Sequence, residues 1–312
     1  MRPPDVSALS QLELELRRAV AAGEFDVYYQ PVVSLADGGL AAFESLARWR
    51  HPARGPLAAS EFFAVAEQTR LIDEIGAWVL YESCRQLGEW RELLQSDAPP
   101  CVSVNVNARQ LARPGFVERL RQTLSETNLP ARCLKLEINE RALTTNTETP
   151  TTDPDALTTN TDAFINALAR LRALGVRLAI DDLGTDFHSS GAVFPSASPF
   201  RRLSFDALKI DRALTNRACA CAREARALAG AVALASHVGA SVVAKGVETD
   251  EQHARLAALG CTHAQGFLYS APVAAEDALA LIRRAARATR APNFQTRPAD
   301  RSLSRLTQVL VA

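Results

Sequence analysis

The sequence predicts an α/β fold, a closed (β/α)8 TIM-like barrel in which the first strand runs against the others. Three observations carry that expectation. Short runs that are apolar on both faces recur along the chain, as strands do when helices cover a parallel sheet on both sides. Helical segments fill most of the gaps between those runs, and the repeat extends over roughly 250 residues, the size at which eight such units close on themselves. Two β-rich runs near the start are joined by a tight turn, so at least one pairing is antiparallel.

An amphipathic helix at about 7–22 opens the chain, and residues 1–23 are expected to pack as a helix on a barrel domain of residues 24–290. "FDVYYQPVVS" (25–34) and "LAAFESLARW" (40–49) flank "LADGG", whose glycines suit positive φ, and read as a hairpin. Helices are expected at about 60–68 and 72–95. Strands "CVSVNV" (101–106), "CLKLEI" (133–138), "VRLAID" (176–181), "FDALKI" (205–210), "SVVAK" (241–245) and "HAQGF" (263–267) follow, which brings the count to eight. Between and after them, helices are expected at about 115–128, 162–174, 223–238, 250–259 and 275–289.

Two segments break this economy. "LTTNTETPTTDPDALTTNT" (143–161) is threonine-rich, and "GTDFHSSGAVFPSASPFRRLSFD" (184–206) is a long connection containing serine and proline. Both follow strands, so both fall on the C-terminal face of a barrel, where long loops are usually functional. Residues 291–312 read as a C-terminal tail.

Composition narrows the function. The chain has 312 residues, 47% hydrophobic and 22% charged, which is ordinary for a globular protein with one large core or two modest ones. Its 35 basic and 35 acidic side chains cancel, so no bulk field gathers a nucleic acid polymer or an anionic membrane, and an anionic ligand needs a local site. No apolar run has the length of a signal-peptide core at the N-terminus or of a membrane span elsewhere; the reading is a cytoplasmic, stand-alone protein. Six cysteines occur without a CxxC pair and read as reduced core thiols, although Cys219-x-Cys221 and Cys261-x-His263 have the chemistry to ligate a metal.

The polar residues that end the strands carry the chemistry. Glu44, Asn105 and Asn107, Glu137, Asn139 and Glu140, Asp181 and Asp182, Lys209 and Asp211, Lys245 and Glu248, and Gln265 all converge on one rim if the barrel closes. Singly, each has a plain alternative: Glu44 pairing with Arg48, Glu140 with Arg141, the aspartates capping a helix. Jointly, acidic and amide groups from several strands need positive charge between them, and oxygen ligands without paired His or Cys suit a hard divalent cation.

"YYQPVVSL", "FESLARWRHP", "VSVNVNARQL", "LKLEINERAL", "AIDDLGTD", "ALKID", "AKGVETDEQ" and "GCTHAQGFLYSAPV" resemble, in order, the motif series of the EAL domain family, which binds the second messenger cyclic di-GMP. The resemblance runs from about Phe25 to about Pro272. It implies Mg²⁺ or Mn²⁺ at the C-terminal rim and hydrolysis of one phosphodiester to linear pGpG. It implies Glu44, Asn105, Glu137 and Asp181 as ligands of a first metal and Asp182 as a ligand shared with a second. Lys209 matches the lysine that contacts the attacking water; Gln30, Leu46 and Arg48 match ligand contacts; Gln265 lies in the "QG" motif and Glu248 ends "KGVE". Glu140 matches the glutamate that steadies the loop after the aspartate pair.

The chain departs from that pattern at informative places. "ESL" replaces "EAL" and "EINE" replaces "EITE", both keeping the acids. Where the family reads "DDFGTGYSS", the chain has Asp186 for a glycine and a longer loop, in the region that shapes the metal site and the homodimer contact in active relatives. The largest departure is Lys245, which stands where active members carry a glutamate tied to the second metal and the water. At ~5 Å and an effective dielectric of ~20, each unit-charge pair is worth ~3 kcal/mol, so an ammonium repels a dication by ~6 kcal/mol where a carboxylate attracts it by as much. One metal site is therefore expected to persist and a second metal to bind poorly.

Lys245 turned out toward solvent would leave a merely weakened enzyme; turned in toward Asp182, it would replace the second cation. The expected function is a hydrolytically impaired EAL-type receptor for cyclic di-GMP. The alternatives are an active phosphodiesterase and a protein-binding module that docks a partner through 143–161 or 184–206.

Overall fold

The computed structural model describes residues 6–94, 101–140, 154–185 and 205–290. Residues 143–153, most of the 184–206 connection and the 291–312 tail, each singled out in the sequence, lie outside the described residues. In chain order the elements are α1 (Val6–Ala22), β1 (Phe25–Ser34), β2 (Leu40–His51), β3 (Gly55–Ala58), α2 (Ala59–Gln68), α3 (Ile72–Leu94), β4 (Cys101–Asn105), α4 (Ala108–Ala112) and α5 (Phe116–Glu126). They continue with β5 (Leu134–Asn139), α6 (Pro154–Ala173), β6 (Arg177–Leu183), β7 (Ala207–Ile210), α7 (Arg212–Ala220), α8 (Ala222–His237), β8 (Ser241–Lys245), α9 (Asp250–Ala258), β9 (His263–Gln265) and α10 (Ala275–Arg290).

Eight strands close in the order β1-β2-β4-β5-β6-β7-β8-β9, with β9 returning to β1; β3 pairs on the outside of β2. β1 is antiparallel to both neighbours, with Gln30 opposite Glu44 on β2 and Val33 opposite Ala264 on β9. The other barrel pairings are parallel. This is the predicted (β/α)8 TIM-like architecture.

The short parallel strands are buried because each is covered on one face by the barrel lumen and on the other by helices. Leu134, Leu136 and Ile138 on β5 and Leu178 and Ile180 on β6 are fully buried. Under the hairpin, Tyr29 and Phe43 meet Trp90 of α3, the Tyr29 and Trp90 rings lying edge to face at 4.8 Å. Inside the barrel Val32, Ala42 and Val243 form a small apolar plug. α1 packs Leu16 and Ala19 into the core, and its Glu15 accepts from Arg54 at 2.8 Å. His51 Nδ1 accepts two backbone N–H groups, so Nε2 carries the proton and faces Glu15 at 3.3 Å.

The structure departs from the sequence reading in its local details. β3, α4 and α7 are additional elements. α4 begins at a capping box in which Asn107 accepts from Gln110 N and the Gln110 side chain returns to Asn107 N. Asp211 caps α7 by accepting from Ala213 and Leu214. The sequence places both residues with the converging rim groups; backbone donors one turn ahead claim them instead. α6 starts at Pro154, so the last residues of the threonine-rich segment are helical, in keeping with the preference of proline for a first helical turn, where its missing N–H costs nothing.

Candidate functional site

Each of the eight barrel strands delivers one polar side chain to a common centre: Gln30, Glu44, Asn105, Glu137, Asp181, Lys209, Lys245 and Gln265. The alternation of a strand makes this happen, since the residues between them, such as Val104, Ile138, Ile180, Leu208 and Ala244, point the other way into the helical layer. The register aligns them: Asn105 lies opposite Glu137, Asn139 opposite Asp181, and Lys245 opposite Gln265.

Lys209 is the buried hub. Its Nζ donates to Glu44 Oε2 and Glu137 Oε2, each at 2.6 Å. Glu44 also accepts from Asn105 Nδ2 at 2.9 Å and Gln265 Nε2 at 2.7 Å, and Gln265 reaches Gln30 Oε1 at 3.0 Å. Burial favours the neutral form of Glu44, but Lys209 and Lys245 outweigh it and hold the carboxyl at about 2. Glu137 is pushed up to about 7, first by burial, against the pull of Lys209 and with the neighbouring charges of Glu44 and Asp181. Burial works against the Lys209 ammonium, yet the surrounding carboxylates raise it well above the usual lysine range.

Lys245 turns inward. Its Nζ lies 2.9 and 3.0 Å from the two oxygens of Asp181 and 2.7 Å from Asp182 Oδ1. The outward orientation is not adopted, and the ammonium engages Asp181 as well as the expected Asp182. Despite burial, Asp181 and its neighbours raise the Lys245 ammonium above the ordinary lysine value.

The turn after β6 is held from its neighbour. Asp182 has φ of +57°, unusual for a non-glycine residue. Asn139 Nδ2 donates to Asp182 Oδ2 at 2.8 Å, and Glu140 Oε2 accepts the Gly184 N–H at 2.9 Å. The sequence marks Asn139 as a polar strand end but assigns it no role. Its register partner, Asp181, identifies it only once β5 and β6 are paired.

Other predicted residues lie at the margin. Leu46 and Arg48 are half-buried on β2, and the Arg48 guanidinium covers the Tyr28 ring at 5.5 Å from its centroid. Glu248 pairs with Arg212 at 2.6 Å on an exposed part of the rim, apart from the Lys245 contacts. Among the described residues, the group of ligand-type side chains that come together is Glu44, Glu137 and Asp181, with ligand atoms within 4.8 Å of one another. The fragments Cys219-x-Cys221 and Cys261-x-His263 form no such group among those residues.

The donor set suits a hard divalent cation. Three buried carboxylates converge, and the buried Gln265 Oε1 has no hydrogen-bond partner, a free acceptor beside them. Lys245 stands between Asp181 and Asp182.

A barrel with one reversed strand and this ring of acids, amides and lysine defines the class. Residues 13–272 match the family profile described as the EAL domain, and the chain belongs to that family. It is 37% identical over 294 residues to the cyclic di-GMP phosphodiesterase NbdA of Pseudomonas aeruginosa, covering 94% of this chain and 34% of that protein. It is similar in structure to a MucR phosphodiesterase solved as a c-di-GMP complex, with 35% identity, a TM-score of 0.72, and coverage of 86% of this chain and 99% of that one. The EAL domain of Mycobacterium smegmatis DcpA gives 28% identity and a TM-score of 0.65 over 84% of this chain and 98% of that one. The chain spans about a third of the length of the first curated relatives it matches. No helix among the described residues is long and apolar enough to cross a membrane.

Proposed function

We propose that this chain binds cyclic di-GMP at the rim of the barrel and hydrolyses it poorly, acting as a receptor in second-messenger signalling. The observation that carries the reading is the Lys245 ammonium bonded to both Asp181 and Asp182. A fixed cation there neutralises the pocket for an anionic phosphodiester, but it has no open coordination position in which to acidify a water.

Glu44, Asn105 and Glu137 would hold a single Mg²⁺ or Mn²⁺, with Asp181 shared between that ion and Lys245. A bound ion would supply charge to a phosphate oxygen and lower the pKa of a coordinated water. The protein's own contribution is orientation: Gln265 and Asn105 fix Glu44, Lys209 fixes Glu44 against Glu137, and the half-buried Arg48 offers a planar fork to phosphate.

The runner-up is an active metal-dependent phosphodiesterase, favoured by the intact Glu44, Glu137 and Asp181 group. Incubation of purified protein with cyclic di-GMP and Mn²⁺, together with calorimetry on the same sample, separates the readings. The receptor reading expects binding without appreciable pGpG and a gain of turnover in Lys245→Glu. Rapid pGpG formation by the unaltered protein would sink it, and absence of binding with and without metal would leave a protein-docking module.

A further inference from the structure

Two departures from the family motif, one on β5 and one on β8, meet on a single carboxylate. Lys245 donates to Oδ1 of Asp182 at 2.7 Å, and Asn139 donates to Oδ2 of the same residue at 2.8 Å. They lie 63 and 43 residues from Asp182 in sequence, so nothing local forces the convergence. Asp182 is also fixed in a left-handed backbone conformation, which limits how its side chain can be presented.

We infer that Asn139 is a positioning residue that works with Lys245: the amide sets the rotation of the Asp182 carboxylate so that Oδ1 faces the ammonium, and the pair excludes a second divalent ion. This rests on the receptor reading and deepens it. A carboxylate that bridges two ions in the two-oxygen mode needs both oxygens free for metal. Here a cation claims one oxygen and an amide N–H holds the other, and the lysine alone accounts for only half of that arrangement. In "EITE", the residue at position 139 is a threonine, whose shorter side chain carries one rotatable hydroxyl in place of two amide N–H donors.

The consequence is that removing Lys245 alone incompletely restores the second ion site. Mn²⁺ titrations followed by electron paramagnetic resonance of the free ion would be run on the unaltered protein, Asn139→Thr, Lys245→Glu and the double variant. Lys245→Gln serves as a second background that removes the cation without adding an acid, and circular dichroism with a thermal melt checks that each protein is folded. The expectation is one ion for the unaltered protein and for Asn139→Thr, a weak second ion for Lys245→Glu, and a second ion about tenfold tighter in the double variant, the signature of coupled sites. The same ordering is expected with Gln at 245. Equal affinity for the second ion with and without Asn139→Thr, in both backgrounds, would overturn the role of Asn139 while leaving the receptor reading intact. Two ions in the unaltered protein would remove both.

Discussion

Lys209 Nζ lies 2.6 Å from Glu137 Oε2 at the centre of the barrel, and the two side chains are 2% and 1% exposed. Such a pair, once formed, is costly to break from one side, because the remaining charge has no water to turn to. Lys209→Met should therefore cost about 3–5 kcal/mol in urea unfolding. Adding Glu137→Gln should recover part of the loss, since it removes the stranded acid. A Lys209→Met variant as stable as the original would mean that the hub contributes nothing to the fold.

Glu137 makes a pH-dependent prediction with a definite sign. Its folded-state value of about 7 lies above the ordinary 4.5, so the folded state binds the extra proton between those values. The contribution of this group is fully present below pH 4.5 and is lost as pH rises toward 7. In metal-free protein, the thermal stability of Glu137→Gln relative to the original should thus increase between pH 5 and pH 8, by roughly 3 kcal/mol at the limit. Glu44, held at about 2, works in the opposite sense: its contribution is present above 4.5 and falls away in acid as pH approaches 2. A flat difference in melting temperature across the range would refute the assignment for Glu137.

Gly266 follows Gln265 where β9 passes the backbone of Val247. A Cβ there would fall 2.0 Å from Val247 O and 2.3 Å from Val247 N, and neither atom belongs to a side chain that can swing away. Gly266→Ala should cost more than about 3 kcal/mol and should weaken nucleotide binding by displacing Gln265 from Glu44. Gly230, on an exposed face of α8 with nothing within 4 Å of its Cβ position, is the control. Alanine there should stabilise by about 1 kcal/mol.

Glu140 holds the turn after β6 through the Gly184 N–H at 2.9 Å in a buried setting. Glu140→Ala should remove that acceptor, cost about 1–3 kcal/mol, and speed hydrogen exchange at Gly184. Glu140→Gln keeps an acceptor and should lose less. Equal exchange rates at Gly184 in all three proteins would argue against the contact.

The barrel was legible because its signals are local and repeated: apolar runs of strand length, helices between them, and a hairpin turn after "VVS". Seven of the eight polar residues at the centre could also be named from motif order, as could Lys245, whose departure from that order drew attention to it. Asn107 and Asp211 were misplaced because a polar residue just after a strand serves equally as a rim group or a helix cap; the direction the chain takes next decides between them. β3 is only four residues long, from Gly55 to Ala58, too short for a periodic signal.

Sequence alone determined which side chains the strand ends would offer, since alternation along a strand fixes the face on which each one emerges. Only the tertiary structure decided how the charges are shared: that Lys209 serves Glu44 and Glu137, that Lys245 turns in to both aspartates, and that Asn139 completes the hold on Asp182. Those contacts join residues 43 to 165 positions apart, and their existence depends on barrel register and on burial of the rim side chains, neither of which any local stretch of sequence encodes.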